Sequence, residues 1–216
     1  MGGDEIRGRV VDLGNIGIPI KAVLHRLGYP GDFESPDDGV KDVFEEEVKR
    51  AYDLIEPKGI YSLLRIASHG DREIRFKGTD FKIKSSKVSR LLSRSDFVVF
   101  FMATIGPELE GAVETLMSKG EYARSVILDA IGSETADAAA DMIHRSILRN
   151  IAEQKGFSIT PRFSPGYGDW PLTVQRDILN ICRAEMIGVS LTDSFLMIPM
   201  KSVSAVFGWE RRNLQG

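Results

Sequence analysis

Phe97-Val98-Val99-Phe100-Phe101-Met102-Ala103-Thr104 is apolar almost from end to end, and the architecture follows from how it is read. A short run rich in aromatic and β-branched residues predicts a strand covered on both faces, because a strand with one wet face alternates apolar with polar residues. Ile105-Gly106-Pro107 ends the run and starts a helix with proline near its first turn. Upstream the pattern does alternate. Ile60 to Ala67 is β-prone, Ser68-His69-Gly70-Asp71 turns the chain, and Ile74 and Phe76 alternate with charges. Lys77-Gly78-Thr79-Asp80 turns it again before Phe81 and Ile83. These segments predict a meander with one wet face. Arg72, Arg75, Lys77, Lys82, Lys84, Lys87 and Arg90 decorate it. They read first as solvated strand positions, with a docking surface for an acidic partner as the sharper alternative. Val88, Leu91 and Leu92 then mark a short helix leading into the central strand.

Helical patterns surround this sheet. Pro19 to Leu27 predicts a short helix ended by Gly28, and Tyr29 to Asp38 a loop. From Val40 to Ile55, Phe44, Val48, Ala51 and Ile55 share one helical face. Glu45 with Lys49 and Glu46 with Arg50 sit four apart on the other, so Glu45-Glu46-Glu47 reads as a solvated helix face. Glu121 to Gln154 predicts an unusually long helix whose centre, Ala130 to Ala140, is dominated by Gly, Ser, Thr and Ala. Pro171 opens a helix from Leu172 to Met186, stopped by Gly188. Phe195 to Met200 and Ser202 to Phe207 predict strands broken at Pro199. Helices and antiparallel strands interleave without βαβ regularity. The class is α+β: a mainly antiparallel twisted sheet with several helices, one of them long. With no linker, repeat or low-complexity tract, residues 1–216 are expected to form a single domain.

Composition excludes several function classes. A net charge of −3 argues against nucleic acid as a partner. No apolar run approaches the roughly 20 residues that span a bilayer, and Met-Gly-Gly-Asp-Glu is no signal peptide. The single cysteine, Cys182, excludes an internal disulfide and a CxxC metal knuckle and fits a cytoplasmic protein, with Cys182 itself a small core residue.

The segment that carries chemistry is Arg162-Phe163-Ser164-Pro165-Gly166-Tyr167-Gly168-Asp169-Trp170-Pro171. Its prolines and glycines predict a stiff loop that is neither helix nor ladder strand. Its arginine supplies a bidentate clamp for a carboxylate or phosphate, and its aromatics supply flat apolar walls. The plain alternative is a tight turn with a surface arginine. Asp137, Asp141 and His144 fall on one helical stripe, as metal ligands would. Arg145, four residues after Asp141, offers an ion pair instead. There is no GxSxG elbow, GxGxxG or P-loop, and His25 and His69 have no flanking ligands. Read from residues alone, the Arg162 loop, the small-residue helix and Pro199-Met200-Lys201-Ser202-Val203-Ser204 suit a zwitterionic or cationic ligand of open identity.

From about Phe97 to Gly208 the chain resembles the reactivation module of cobalamin-dependent methionine synthase. The likeness rests on Phe-Phe-Met-Ala-Thr-Ile-Gly at 100–106, Ala-Asp-Ala-Ala-Ala-Asp-Met-Ile-His at 136–144 and Arg-Phe-Ser-Pro-Gly-Tyr at 162–167. A closing segment from Leu191 through Met197 and Pro199 to Ser204 completes it. The resemblance implies an S-adenosylmethionine site in which Arg162 grips the methionyl carboxylate and Asp137 lies near the methionyl end. Ser164, Gly166 and Tyr167 would contact the nucleoside. It implies cobalamin carried by a partner, a methionine synthase lacking its own module, with flavodoxin or a similar reductant acting indirectly. No side chain need act as acid, base or nucleophile. The sequence departs from the family at Gly168-Asp169-Trp170-Pro171, where Pro-x-Cys-Pro-x-His is common. An aspartate near the family's start and a tyrosine beyond its closing strands also lack counterparts. The alternatives are a module serving another corrinoid methyltransferase, and a scaffold of the same fold without S-adenosylmethionine binding.

Overall fold

The computed structural model describes residues 5–29 and 38–212. In chain order the elements are β1 (Ile6–Asp12), α1 (Ile20–Arg26), α2 (Asp38–Leu54), β2 (Lys58–His69), β3 (Glu73–Phe76) and β4 (Lys82–Lys84). After them come α3 (Ser86–Leu91), β5 (Ser95–Thr104), α4 (Glu108–Ser118), α5 (Tyr122–Asp141), α6 (Arg149–Gln154) and β6 (Phe157–Ile159). The chain closes with α7 (Gln175–Cys182), β7 (Ser190–Leu191), β8 (Met197–Ile198) and β9 (Ser202–Arg211). Among the described residues, seven strands form one sheet, six in the order β4-β3-β2-β5-β9-β6 with β1 paired to β2 off that path, entirely antiparallel where paired. β1 and β3 share one edge of β2: β1 pairs with Lys58–Leu63, and β3 with Ile66–His69 further along.

The apolar run sits at the centre of this sheet as β5, flanked by β2 and β9. Period-2 alternation divides it. Val98, Phe100 and Met102 enter one core, Val99, Phe101 and Ala103 the other, and all six are fully buried. The second of these cores lies under α1, α2 and the helices from α4 to α6, together with Tyr61, Leu63, Phe207 and Trp209. The first lies under α3, α7 and Trp170, and takes in Ile74, Phe76 and Ile83 of the predicted meander. Cys182 is buried there, as expected of a core residue, and burial pushes its thiol well above the usual range. Among the described residues no helix is long and apolar enough to cross a membrane.

α5 is buried on several sides because it runs between the sheet and α1, α2 and α4. That explains its small residues: a Cβ on Gly132 would meet Leu109 Cδ2 at 2.5 Å. The expected helix over 121–154 is continuous but not uniform. Met142–Leu148 winds as a π-helix between α5 and α6, a local widening that recurs at functional sites.

Several expectations need correction. Glu47 is 1% exposed rather than solvated, because Arg124 Nη1 donates to its Oε1 at 2.6 Å and Arg50 approaches its Oε2 at 3.6 Å. Glu46 pairs with Arg124 of α5 and not with Arg50. The helix predicted to Met186 breaks at Arg183, which takes a left-handed conformation at φ 58° before a 3₁₀ turn at Ala184–Ile187. Phe195 at φ 63° cannot extend a strand, so β8 is only two residues long. The loop expected over Tyr29 to Asp38 lies mostly outside the described residues. β1 and β6 have no counterpart in the sequence pattern: β1 is mostly charged or exposed, and β6 is three residues long.

Ser62 joins three elements at the buried centre. Its hydroxyl donates to Ile181 O at 2.7 Å, beneath α7, and accepts from Gly8 N of β1 at 2.9 Å. A Ser62→Ala change strands one buried acceptor and one donor, and should lower unfolding free energy by about 2 kcal/mol. Urea denaturation of the two proteins checks it.

Candidate functional site

The site forms where the sheet runs out of strands. β6 pairs with the C-terminal end of β9, at Trp209 to Arg211. Thr160 continues the contact, its N–H donating to Gly208 O at 3.0 Å and its hydroxyl accepting from Gly208 N at 2.9 Å. Pro161 and Arg162 follow, and Phe163 then exchanges two hydrogen bonds with Val206, at 2.8 and 2.9 Å. The Arg162 loop is therefore not free of the ladder, as its composition suggested; one residue of it is a bridge. The antiparallel register sets Pro165 opposite Ser204. Proline has no N–H to give, and pairing stops. Since Val206 spends its main-chain groups on Phe163, alternation turns those of Ser204 and Ser202 toward the same side, where no strand lies.

Beside that open edge is a cleft of about 490 Å³ lined by Asp137, Arg162, Phe163, Ser164, Pro165, Tyr167, Gln175, Met197, Ser202, Val203 and Ser204. Of the residues singled out from sequence, Asp137, Arg162, Ser164 and Tyr167 line it, and Gly166 is the loop's turning point at φ 89°, an angle open to glycine. Arg162 does not point into bulk water. Its side chain is 22% exposed, with Nη2 donating to Asp137 Oδ1 at 2.7 Å and Nε lying 3.1 Å from Asp141 Oδ1. The two carboxylates offered as metal ligands are thus taken by a guanidinium, and Arg145 faces Asp141 at 3.4 Å. No group of His, Cys, Asp and Glu among the described residues is arranged to hold a metal.

His144, third on that stripe, turns its Nε2 to the main chain rather than to a ligand. It is 6% exposed, packs edge-on against Phe207 at 4.7 Å, and its Nε2 lies 2.9 Å from Thr160 O. Burial pushes the imidazole below its ordinary range, so it is neutral at pH 7 and donates that hydrogen bond from Nε2. It ties the π-helical segment to the residue two before Arg162. Its spacing hinted at a ligand; only the structure reveals a strut.

The far end of the loop is anchored by the residues that depart from the family pattern. Asp169 Oδ1 accepts from Ser85 Oγ at 2.5 Å. Its Oδ2 accepts from Ser86 N at 2.7 Å and Ser86 Oγ at 2.5 Å, at the start of α3. These bonds hold its carboxyl far below the usual carboxylate range. Trp170 is 1% exposed and lies against Phe163, while Gly166 N donates to Trp170 O at 2.8 Å to close the turn. Gly168, at φ 62°, sits against Lys87, whose Cδ would be 2.5 Å from an added Cβ. Gln175 of α7 closes the cleft floor. It accepts from Ser204 Oγ and donates to Phe195 O at 3.4 Å; its sequence context gave no signal for this. Tyr167, in contrast, is 69% exposed at the mouth.

Asp169 makes the anchoring pH-dependent. Its folded pKa is depressed from 3.8, so the stabilisation is complete above that value and declines as pH falls below it. Asp169→Asn should loosen the loop at pH 7, seen as a red shift and easier quenching of Trp170 fluorescence. Acidifying wild type below about pH 4 should move it toward the variant.

Two comparisons bear on this arrangement. The chain superposes on the crystal structure of the MetH reactivation domain bound to AdoHcy with a TM-score of 0.64 and 18% identity, covering 87% of this chain and 71% of that one. That likeness gives the fold. The family model described as vitamin B12 dependent methionine synthase, activation domain, matches residues 79–212, from the β3–β4 turn through the Arg162 loop to the end of β9. On that match over most of its length, the chain belongs to the family of vitamin B12 dependent methionine synthase activation domains.

Proposed function

We propose that this chain is a stand-alone reactivation module that binds S-adenosylmethionine in the cleft. It would present the sulfonium methyl group to the cobalamin of a methionine synthase lacking such a module of its own. The observation that carries the reading is Arg162, a largely buried guanidinium on the wall of a 490 Å³ cleft beside a half-exposed aspartate. A cation and an anion side by side match the α-carboxylate and α-ammonium of a methionyl end, through charge-assisted hydrogen bonds that also orient it. The open edge at Ser202 and Ser204, with the main chain of Ser164 and Gly166, suits the polar edges of a nucleoside. Tyr167 offers a flat cover for its base. The solved relative carries AdoHcy, which lacks only the methyl group of S-adenosylmethionine and the positive charge that this group gives the sulfur.

In this reading the cobalamin held by the partner would supply the methyl acceptor, kept reduced by an external donor such as flavodoxin. This chain's residues grip, aim and shield. Arg162 and Asp137 fix one end of the ligand and the β9 edge fixes the other, so the sulfonium between them has few orientations left. No side chain in the cleft acts as acid, base or nucleophile. Around Met197, which lines the cleft, Leu196, Ile198 and Met200 are about half exposed or more, as is Tyr167. These are the apolar groups that the cobalamin-bearing partner would cover. The one cysteine, buried and reduced, fits a cytoplasmic setting.

Calorimetry with S-adenosylmethionine tests the reading. Wild type should bind, and Arg162→Ala should weaken binding about 10- to 100-fold, the worth of hydrogen bonds to a charged group. A wild-type protein that takes up no S-adenosylmethionine would falsify the proposal.

A further inference from the structure

The two aspartates that hold Arg162 do so unequally. Asp137 Oδ1 accepts a short hydrogen bond, 2.7 Å, from Nη2, yet its side chain is 54% exposed. Asp141 Oδ1 is 3.1 Å from Nε but off the N–H axis; that oxygen is shut off from solvent and accepts no hydrogen bond. The other oxygen of Asp141 faces Arg145 at 3.4 Å. The first contact is wet and therefore exchanges with a competing carboxylate at small cost. The second exchanges at greater cost, because Asp141 is less exposed, at 35%, and withdrawing the cation leaves its buried oxygen without a counter-charge. Two carboxylates against two guanidiniums also leave the cluster neutral, so the zwitterionic amino-acid end of an incoming ligand meets neither a net attraction nor a net repulsion.

We propose that the site captures α-amino acids by exchanging ion pairs, with Asp137 as the place-holder and Asp141 as the brace. The inference rests on the reading of the cleft as an S-adenosylmethionine site. The ligand's carboxylate takes the Nη2 edge of Arg162 from Asp137, and the released Asp137 accepts the ligand's ammonium. Asp141 is a positioning residue that keeps Nε turned inward throughout, so the Nη edge continues to face the cleft. Selectivity follows from the exchange. A ligand with a carboxylate but no ammonium must evict Asp137 and leave it unpaired. A ligand with an ammonium alone finds Asp137 already engaged. Only the zwitterion satisfies all three groups.

Asp137→Asn and Asp141→Asn, made in the full chain, separate the roles. Three probes are titrated: S-adenosylmethionine, its deaminated 2-oxo analogue, and methylthioadenosine, which lacks the amino-acid end. In Asp137→Asn, S-adenosylmethionine should bind about 10-fold more weakly. The deaminated analogue should bind more tightly than to wild type, because no carboxylate then occupies the Nη2 edge of the guanidinium. In Asp141→Asn both carboxylate-bearing probes should weaken while methylthioadenosine is unchanged. If Asp137→Asn weakens S-adenosylmethionine and the analogue alike, the exchange is wrong. If Asp141→Asn weakens methylthioadenosine too, the brace is wrong. A ligand-free measurement stands apart from these: nitrogen-15 NMR of the Arg162 guanidinium should show hindered rotation in wild type that Asp137→Asn relieves. Free rotation in ligand-free wild type would overturn the exchange even if S-adenosylmethionine binds. Wild type that binds none of the three probes would overturn the functional reading itself, a result distinct from any difference between variants.

Discussion

Two reciprocal main-chain hydrogen bonds, between Phe163 and Val206, fix the geometry on which the rest of the site depends. They are the last rung of the β6–β9 contact, and they set the Arg162 loop in register with the closing strand. From that rung the loop leaves the sheet at Pro165, and the cleft is the space between the departing loop and the strand it abandons. Without the rung, neither the arginine nor the open edge would have a defined partner across the gap. The loop's other end is fixed just as firmly, by Asp169 on the first residues of α3 and Trp170 in the core. A segment rich in glycine and proline is thereby held at both ends, and its few free residues surround the cleft.

The long helix contributes through its irregularity as much as its length. α5 delivers Asp137 and Asp141 to the guanidinium. Immediately after them the backbone widens into π-helical turns, and His144 reaches Thr160 on the strand side. One helix thus braces the loop in two ways: charged groups meet Arg162, and a neutral imidazole meets the main chain two residues earlier. Charge at the surface and hydrogen bonding in the core converge on the start of one loop. The small residues upstream serve packing, since Gly132 and its neighbours let α4 and Lys201 come close.

Much of this was legible in the residues. The unbroken apolar run could only be a strand covered on both sides, and alternation plus turn residues marked the meander. Arg162 in a stiff loop pointed to the cleft that it lines. What escaped had physical reasons. β1 and β6 are held by neighbours rather than by their own composition, so no local pattern marks them. Glu47 looked solvated because its face was judged within one helix, whereas Arg124 arrives from another. Asp141 and His144 looked like ligands on the strength of spacing alone. That spacing says which groups share a stripe and nothing about what comes to meet them. The break at Arg183 goes against a strong helical pattern; the residue takes a left-handed angle and its side chain lies against Gly8 of β1.

The open stretch of β9 also bears on solubility. Unpaired strand edges invite pairing with another copy of the same edge, and long flat ones lead to aggregates. Here the exposed donors and acceptors number only a few, recessed behind a loop, with Pro165 opposite and Pro199 shortly before the strand begins. A small molecule can reach them, but an extended polypeptide meets a proline on either side and cannot lengthen the ladder. The proline that leaves this edge open to the cleft thus also hinders self-association through it.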